Sequence, residues 1–189
     1  HHGKTPPCAD LIIAHNIPQV VICNRDPFHA VDGKGIERLQ AAGIEVITGV
    51  LEDEGRQLNK RFFTFHEQKR PYIILKWAET ADGYLDYIRI ADDNEKPLKI
   101  SNEQSSTLVH KWRTEEAAIL VGRRTAELDN PSLTARLWPG KNPLRLVIDP
   151  QLEVPEDSAM YNDGQPTWVF NALREYCERE VCFVKINDP

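Results

Sequence analysis

The chain has 189 residues, 41% of them hydrophobic and 8% aromatic, enough apolar material to bury a core in one domain or in two small ones. Its 23 Lys and Arg against 29 Asp and Glu leave a net charge of −6, which argues against binding nucleic acid or an anionic membrane unless basic residues cluster locally. No run approaches the ~18 apolar residues of a membrane span, no signal peptide is visible, and Cys8, Cys23, Cys177 and Cys182 are irregularly spaced in or beside apolar runs, as expected of reduced thiols in a cytoplasmic protein.

Strand and helix patterns alternate from the start. After Pro6-Pro7, "CADLIIAHN" predicts a short helix, whose N-terminus lends positive potential to Cys8 and favours its thiolate. "QVVICN", Gln19 to Asn24, predicts a strand, followed by the loop "RDPFHAVDGKG", a helix at "IERLQAA" stopped by Gly43, and a second strand at "IEVIT". The Gly33 to Gly35 "GKG" has neither a third glycine nor a downstream acid at the right spacing, so it reads as a loop before a helix and not as a dinucleotide fingerprint. "LEDEGRQLNKRFFTFHEQ", Leu51 to Gln68, predicts one longer amphipathic helix that Pro71 ends. The break divides the chain into domains 1–68 and 69–189.

Beyond the break the alternation restarts. "YIILKWAET" predicts a strand running into the turn "ADG", and "SNEQSSTLVHKWRTEE" a helix with Ser101 or Asn102 as N-cap. Then come a buried strand "AAILVG", a short helix "RTAELD", the loop "NPSLTARLWPGKNP", strands at "LRLVID" and "TWVF", a helix "NALREYCERE" and a strand "VCFVKI". The fold class is α/β. Gly122 and the amides of Arg123 to Thr125 open a helix, a natural seat for a phosphate, whereas Arg113 on its own reads as an exposed helix residue.

The opening segment carries a more specific signal. Zinc enzymes that deaminate nucleobases place a His or Cys in an H-x-E segment and two cysteines in a P-C-x-x-C segment. "HHGKTPPC" resembles the variant segment of the bifunctional riboflavin-biosynthesis deaminase/reductase family, in which a longer insert ending in G-[KR]-T-P-P-C separates the two cysteines. "RDPFHAVDGKGIERLQAAGIEVITGVLEDEGRQLNKRFF" resembles the rest of that deaminase domain, and "RPYIILKWAETADGYL", "ISNEQSSTLVHKWRTEEAAILVGRRTAELDNPSLTAR" and "NPLRLVID" resemble its reductase domain in order. The resemblance covers nearly the whole chain and stops before the family's glycine-rich segment. It implies an internal piece: the C-terminal part of a cytidine-deaminase-like domain followed by a dihydrofolate-reductase-like domain incomplete at its C-terminus.

Site residues follow from the resemblance position by position. Cys8 is implied as a zinc ligand, with the other cysteine and the general acid/base Glu upstream of His1; His1, Lys4 and Thr5 are implied as contacts to a substrate phosphate. In the reductase half, Thr125 and Asp129 fall at NADPH-contact positions, and Arg113, Leu133 and Arg136 at positions holding the substrate's ribose phosphate. Two arginines suit that task because guanidinium grips phosphate oxygens bidentately. Lys76 matches a conspicuous lysine of the family and is a candidate to face the substrate, although strand alternation does not say which face it takes, and Asp82 is a second candidate for the reductase site, although Asp82-Gly83 also fits a plain turn.

The chain departs from the family pattern in places. Phe28 stands after Asp26-Pro27 where Asn is common, Lys99-Ile100-Ser101 replaces a Trp-Ile-Thr or Trp-Ile-Ser segment near the nicotinamide, and Glu79 replaces a small residue beside the cofactor. Lys99 is expected to offer its charge to a cofactor phosphate.

The implied function is bifunctional. Zinc-bound hydroxide deaminates a phosphoribosylated diaminopyrimidine, and NADPH then reduces the ribosyl group to ribityl, in a cytoplasmic homo-oligomer that engages neither nucleic acid nor membrane. The alternative is a reductase alone, with a zinc-free deaminase remnant as scaffold.

Overall fold

The computed structural model describes residues 7–28, 31–88 and 97–187. His1, Lys4 and Thr5 lie outside the described residues. The chain divides into two compact units, His1–Leu75 and Lys76–Pro189.

The first unit follows the sequence pattern closely: α1 (Cys8–Ala14), β1 (Gln19–Ile22), α2 (Lys34–Ala41), β2 (Glu45–Thr48), α3 (Glu52–Leu58) and α4 (Lys60–Gln68). Strands β1 and β2 are parallel, with Gln19 opposite Glu45 and Ile22 opposite Thr48. Ala9 of α1, Leu39 of α2 and Ile44 form the buried core, backed by Ile12, Ile13, Val20 and Val46. Gly43 stops α2 with φ of 79°. Its N–H donates to Gln40 O and that of Ile44 to Leu39 O, the paired bonds of a left-handed helix stop, with Ile44 and Leu39 in apolar contact.

One expected helix is two. The 51–68 pattern breaks at Asn59, which takes non-helical φ and ψ of −105° and 24° while its side chain donates to Gly55 O at 3.1 Å. An amide that bonds its own backbone competes with helix continuation. Gly55 is the close-approach point of α3, since a Cβ there would lie 2.2 Å from both Cys23 Sγ and Asn24 Oδ1.

The second unit holds α5 (Glu103–Glu115), β3 (Ala118–Gly122), α6 (Arg123–Asp129), β4 (Leu144–Ile148), α7 (Ala159–Asn162), β5 (Thr167–Asn171), β6 (Tyr176–Glu178) and β7 (Val181–Lys185). Its sheet runs β3-β4-β5-β7-β6, parallel throughout except for antiparallel β6 on the edge. Ala126, Leu133, Val147, Val154 and Met160 make the core on one face.

Three expectations fail here. Residues 71–80 form no strand: no partner among the described residues supplies a ladder, and Ile73, Leu75 and Trp77 stay exposed. The "NALREYCERE" helix is instead a turn and strand β6. Asn171 Oδ1 accepts from the N–H groups of Leu173 and Arg174 at 2.9 and 2.8 Å, turning the chain, and Tyr176 stacks on Phe183 of β7 at 4.7 Å with Arg174 over both rings. Cross-strand pairing and aromatic contact outweigh a weak helix propensity. The expectation of reduced thiols throughout also fails: Cys177 and Cys182 sit directly opposite each other in β6 and β7, Cα atoms 4.1 Å apart, and are joined as a disulfide, while Cys8 and Cys23 are free.

Candidate functional site

Helix α5 starts at Asn102, whose Oδ1 accepts from the Ser105 N–H at 2.8 Å. The cap fixes the helical phase that sets His110 and Arg113, three residues apart, on one side of the helix. Facing them is the loop that follows α6. At Leu133 the backbone turns through φ of 54°, and its side chain is 5% exposed in the core. A buried leucine in that conformation anchors the loop and leaves its main chain, rather than its side chain, available to a ligand.

Arg113 and Arg136 converge at this place. Arg113 donates to Thr134 O at 2.8 Å, and its Nε is buried without a hydrogen-bond partner. Arg136 donates to Ser132 Oγ and, at 2.9 Å, to Thr134 Oγ1. Among the described residues no carboxylate pairs with either guanidinium. Burial, and then the neighbouring Arg136 charge, hold the Arg113 guanidinium below its usual range. Two neighbouring cations with no carboxylate partner among the described residues form a cationic notch between helix and loop where an anion would be stabilised.

A third arginine braces the loop from below. Arg145 of β4 is 1% exposed and donates to both Asp163 oxygens at 2.8 and 2.7 Å, to Thr167 Oγ1 and to the carbonyls of Ser132, Met160 and Gln165. All its donors are engaged, so it is a brace and not a ligand group. Its bond to Ser132 O fixes the residue whose hydroxyl receives Arg136. Sequence reading missed this residue and His110; a lone arginine in a strand pattern, or a histidine three residues before Arg113, was the available signal.

The remaining candidates are more scattered. Thr125 and Asp129 are exposed on α6, and Lys99 is exposed just before α5. Glu79 accepts from Trp77 Nε1 at 3.0 Å. Lys76 is exposed and, with no strand formed, has no strand face to occupy. Asp82 accepts from Thr80 Oγ1 within a turn closed by Gly83 N–H to Thr80 O at 2.9 Å, the plain-turn geometry of Asp-Gly. A hydroxyl, an ammonium and two carboxylates fit a dinucleotide in kind, the first two for phosphates and the last two for ribose hydroxyls. A cavity of about 290 Å³ elsewhere in the unit is lined by Tyr161, Arg174, Tyr176 and Phe183 and touches none of these candidates. The Tyr161 phenol there is pushed up to about 12 by burial and by Asp149.

In the first unit, Cys8 is the exposed first residue of α1. No group of three His, Cys, Asp or Glu gathers among the described residues, so these residues do not by themselves make a zinc site. In the Asp26-Pro27-Phe28 loop, Asp26 Oδ1 accepts from the Phe28 N–H at 2.8 Å, and the Phe28 ring lies 5.2 Å from that of His66.

These features define a class: an α/β domain with a mostly parallel sheet and a cationic notch between a helix and the loop facing it. Residues 71–186 match the RibD C-terminal domain, and the chain belongs to that family. It is 45% identical over 171 residues to the riboflavin biosynthesis protein RibD of Aquifex aeolicus, covering 89% of this chain and 47% of that protein. With the RibD of Escherichia coli K12 it shares 36% over 181 residues, 89% of this chain and 48% of the other. Among solved structures, a diaminohydroxyphosphoribosylaminopyrimidine deaminase/5-amino-6-(5-phosphoribosylamino)uracil reductase from Thermotoga maritima superposes with a TM-score of 0.82 at 39% identity, over 97% of this chain and 51% of that one. Acinetobacter baumannii RibD superposes with a TM-score of 0.84 at 26% identity, over 100% and 53%. The chain thus spans about half the length of the relatives it matches.

Proposed function

We propose that residues 69–189 form an NADPH-dependent reductase domain of riboflavin biosynthesis that reduces the ribosyl side chain of a phosphoribosylamino-pyrimidine to ribityl. The observation that carries this reading is the pair of arginines: Arg113, with its buried unpartnered Nε, and Arg136, both without a carboxylate partner among the described residues. A phosphate monoester there accepts from both guanidiniums, which fixes the ribose end of the substrate while the Leu133–Thr134 main chain bounds it. NADPH, when bound, supplies the hydride. Thr125 and Lys99 are assigned to its phosphates, Asp129 and Glu79 to its ribose hydroxyls, and Lys76 and Asp82 remain the candidates to hold or move a proton at the sugar.

We further assign residues 1–68 to the C-terminal part of a zinc deaminase domain, with Cys8 as one ligand and His1, Lys4 and Thr5 at the substrate phosphate. The described residues do not complete a metal site, so no deamination step is derived from them. The localisation we propose is cytoplasmic, in a homo-oligomer; no described helix is long and apolar enough to cross a membrane.

The test is NADPH oxidation by the protein with the phosphoribosylamino-pyrimidine substrate, followed by identification of the product sugar. Ribityl product formed faster with NADPH than with NADH is expected, and Lys99→Ala should narrow that preference. Absence of turnover, together with no binding of NADPH, overturns the reductase reading.

A further inference from the structure

His110 is not a ligand group in that assignment, yet it lies close to both arginines. It is 7% exposed, and its Nδ1 accepts from the main-chain N–H of Arg136 at 2.8 Å and, more loosely, from that of Leu137 at 3.3 Å. A nitrogen that accepts carries no proton, so the ring is neutral with its proton on Nε2. The groups facing it are Arg113 from its own helix and Arg136 from the loop, both cationic. Burial first, then these two charges, hold the imidazole below its ordinary value, in keeping with a permanent acceptor.

Resting on the phosphate-notch reading, we propose that His110 is the positioning residue of the clamp: by holding the Arg136 peptide on its Nδ1, it keeps the Arg136 guanidinium opposite Arg113. The geometry gives this residue a reach the others lack. Arg136 lies in a loop, exposed, and among the described residues its side chain is tied to Ser132 and Thr134, members of the same loop. The Arg113–Thr134 and His110–Arg136 bonds are what tie that stretch to α5. Without the His110 acceptor, the main-chain N–H groups of Arg136 and Leu137 must be satisfied elsewhere, and the Arg136 peptide loses its tie to α5 while the preceding Ala135 N–H stays bonded to Asn142 Oδ1 at 2.8 Å.

The chemistry of the acceptor yields a discriminating pair of variants. Asparagine places Oδ1 where histidine has Nδ1, two bonds beyond Cβ, and so retains the acceptor; phenylalanine fills the space and removes it. The measurement is the affinity of the protein for ribose 5-phosphate against ribose, by calorimetry. His110→Asn should keep the wild-type preference for the phosphorylated sugar to within about 3-fold, and His110→Phe should reduce it by on the order of 10-fold or more, the loss of a hydrogen bond that leaves buried donors unpaired. Because both act through Arg136, His110→Phe should add little to Arg136→Ala in the double variant.

Each result decides a different question. If the wild type itself shows no preference for the phosphate, the notch reading fails and this inference with it. If the wild type prefers the phosphate and His110→Phe does so equally, or if the losses of His110→Phe and Arg136→Ala add in full, only the positioning role fails. Should the Phe variant not fold, nitrogen chemical shifts of His110 in the wild type decide: Nδ1 unprotonated with and without saturating ribose 5-phosphate is expected, and a proton on Nδ1 in either state overturns the proposal.

Discussion

Arg145 and Asp163 form a two-pronged ion pair, Nη1 to Oδ2 at 2.8 Å and Nη2 to Oδ1 at 2.7 Å, in which the arginine is buried and the carboxylate is partly open to water. Removing the acid strands a buried cation, which costs about 3–5 kcal/mol. Asp163→Ala should therefore lower the denaturant midpoint markedly. Burial works to raise the Asp163 pKa, but the Arg145 bonds prevail and hold it below the usual carboxylate range. A group depressed in the folded state contributes stability above its unfolded pKa of about 3.9 and loses it as pH falls through the folded value. Unfolding followed from pH 7 into acid should show that loss in the wild type and a flatter profile in Asp163→Ala; parallel profiles would remove Asp163 from this role.

Gly55 marks where α3 meets the Cys23–Asn24 corner, with no room for a methyl group. Gly55→Ala should destabilise the protein by about 1–3 kcal/mol, in spite of alanine's better helix propensity, because overpacking outweighs propensity. A thermal unfolding midpoint equal to or above that of wild type would show that the two side chains simply swing aside.

The disulfide makes a third prediction. Closing so short a loop stabilises by about 2 kcal/mol on the chain-entropy account. Peptide mapping without reductant should recover the Cys177 and Cys182 peptides as one bridged species and Cys8 and Cys23 as free thiols, and Cys177→Ser should lower stability by that order. Recovery of Cys177 and Cys182 as free thiols from protein kept out of reductant would contradict the pairing.

Local rules carried much of the fold. Gly43 announces the end of α2, Asn102 the start of α5, and the β-branched runs at Gln19, Ala118, Leu144 and Thr167 each form strands, because in these places local propensity and capping suffice; the Ala118 run, expected to be buried, is an edge strand with Leu120 exposed. The errors fall where partners decide. Residues 72–80 have strand composition but no neighbour among the described residues to pair with, and 172–180 have helix composition but a neighbour, β7, that pairs with them. Asn59 breaks a helix through a bond to Gly55 that no periodicity reveals. At the notch, Arg113 and Arg136 entered through family resemblance alone, since neither stands out by spacing. His110 and Arg145 depend on contacts 26 and 18 residues away in sequence, to Arg136 and Asp163, which pattern reading does not reach.

The central claim is that Arg113 and Arg136 together grip a phosphate, and calorimetric titration of ribose 5-phosphate and ribose against wild type, Arg113→Ala and Arg136→Ala tests it most directly. Neither arginine has a carboxylate partner among the described residues, so both variants should fold. Wild type should prefer the phosphorylated sugar, and each variant should lose about 30- to 1,000-fold of that preference, the cost of one partner in a desolvated charge contact. Variants that distinguish the two sugars as well as the wild type does would contradict the account.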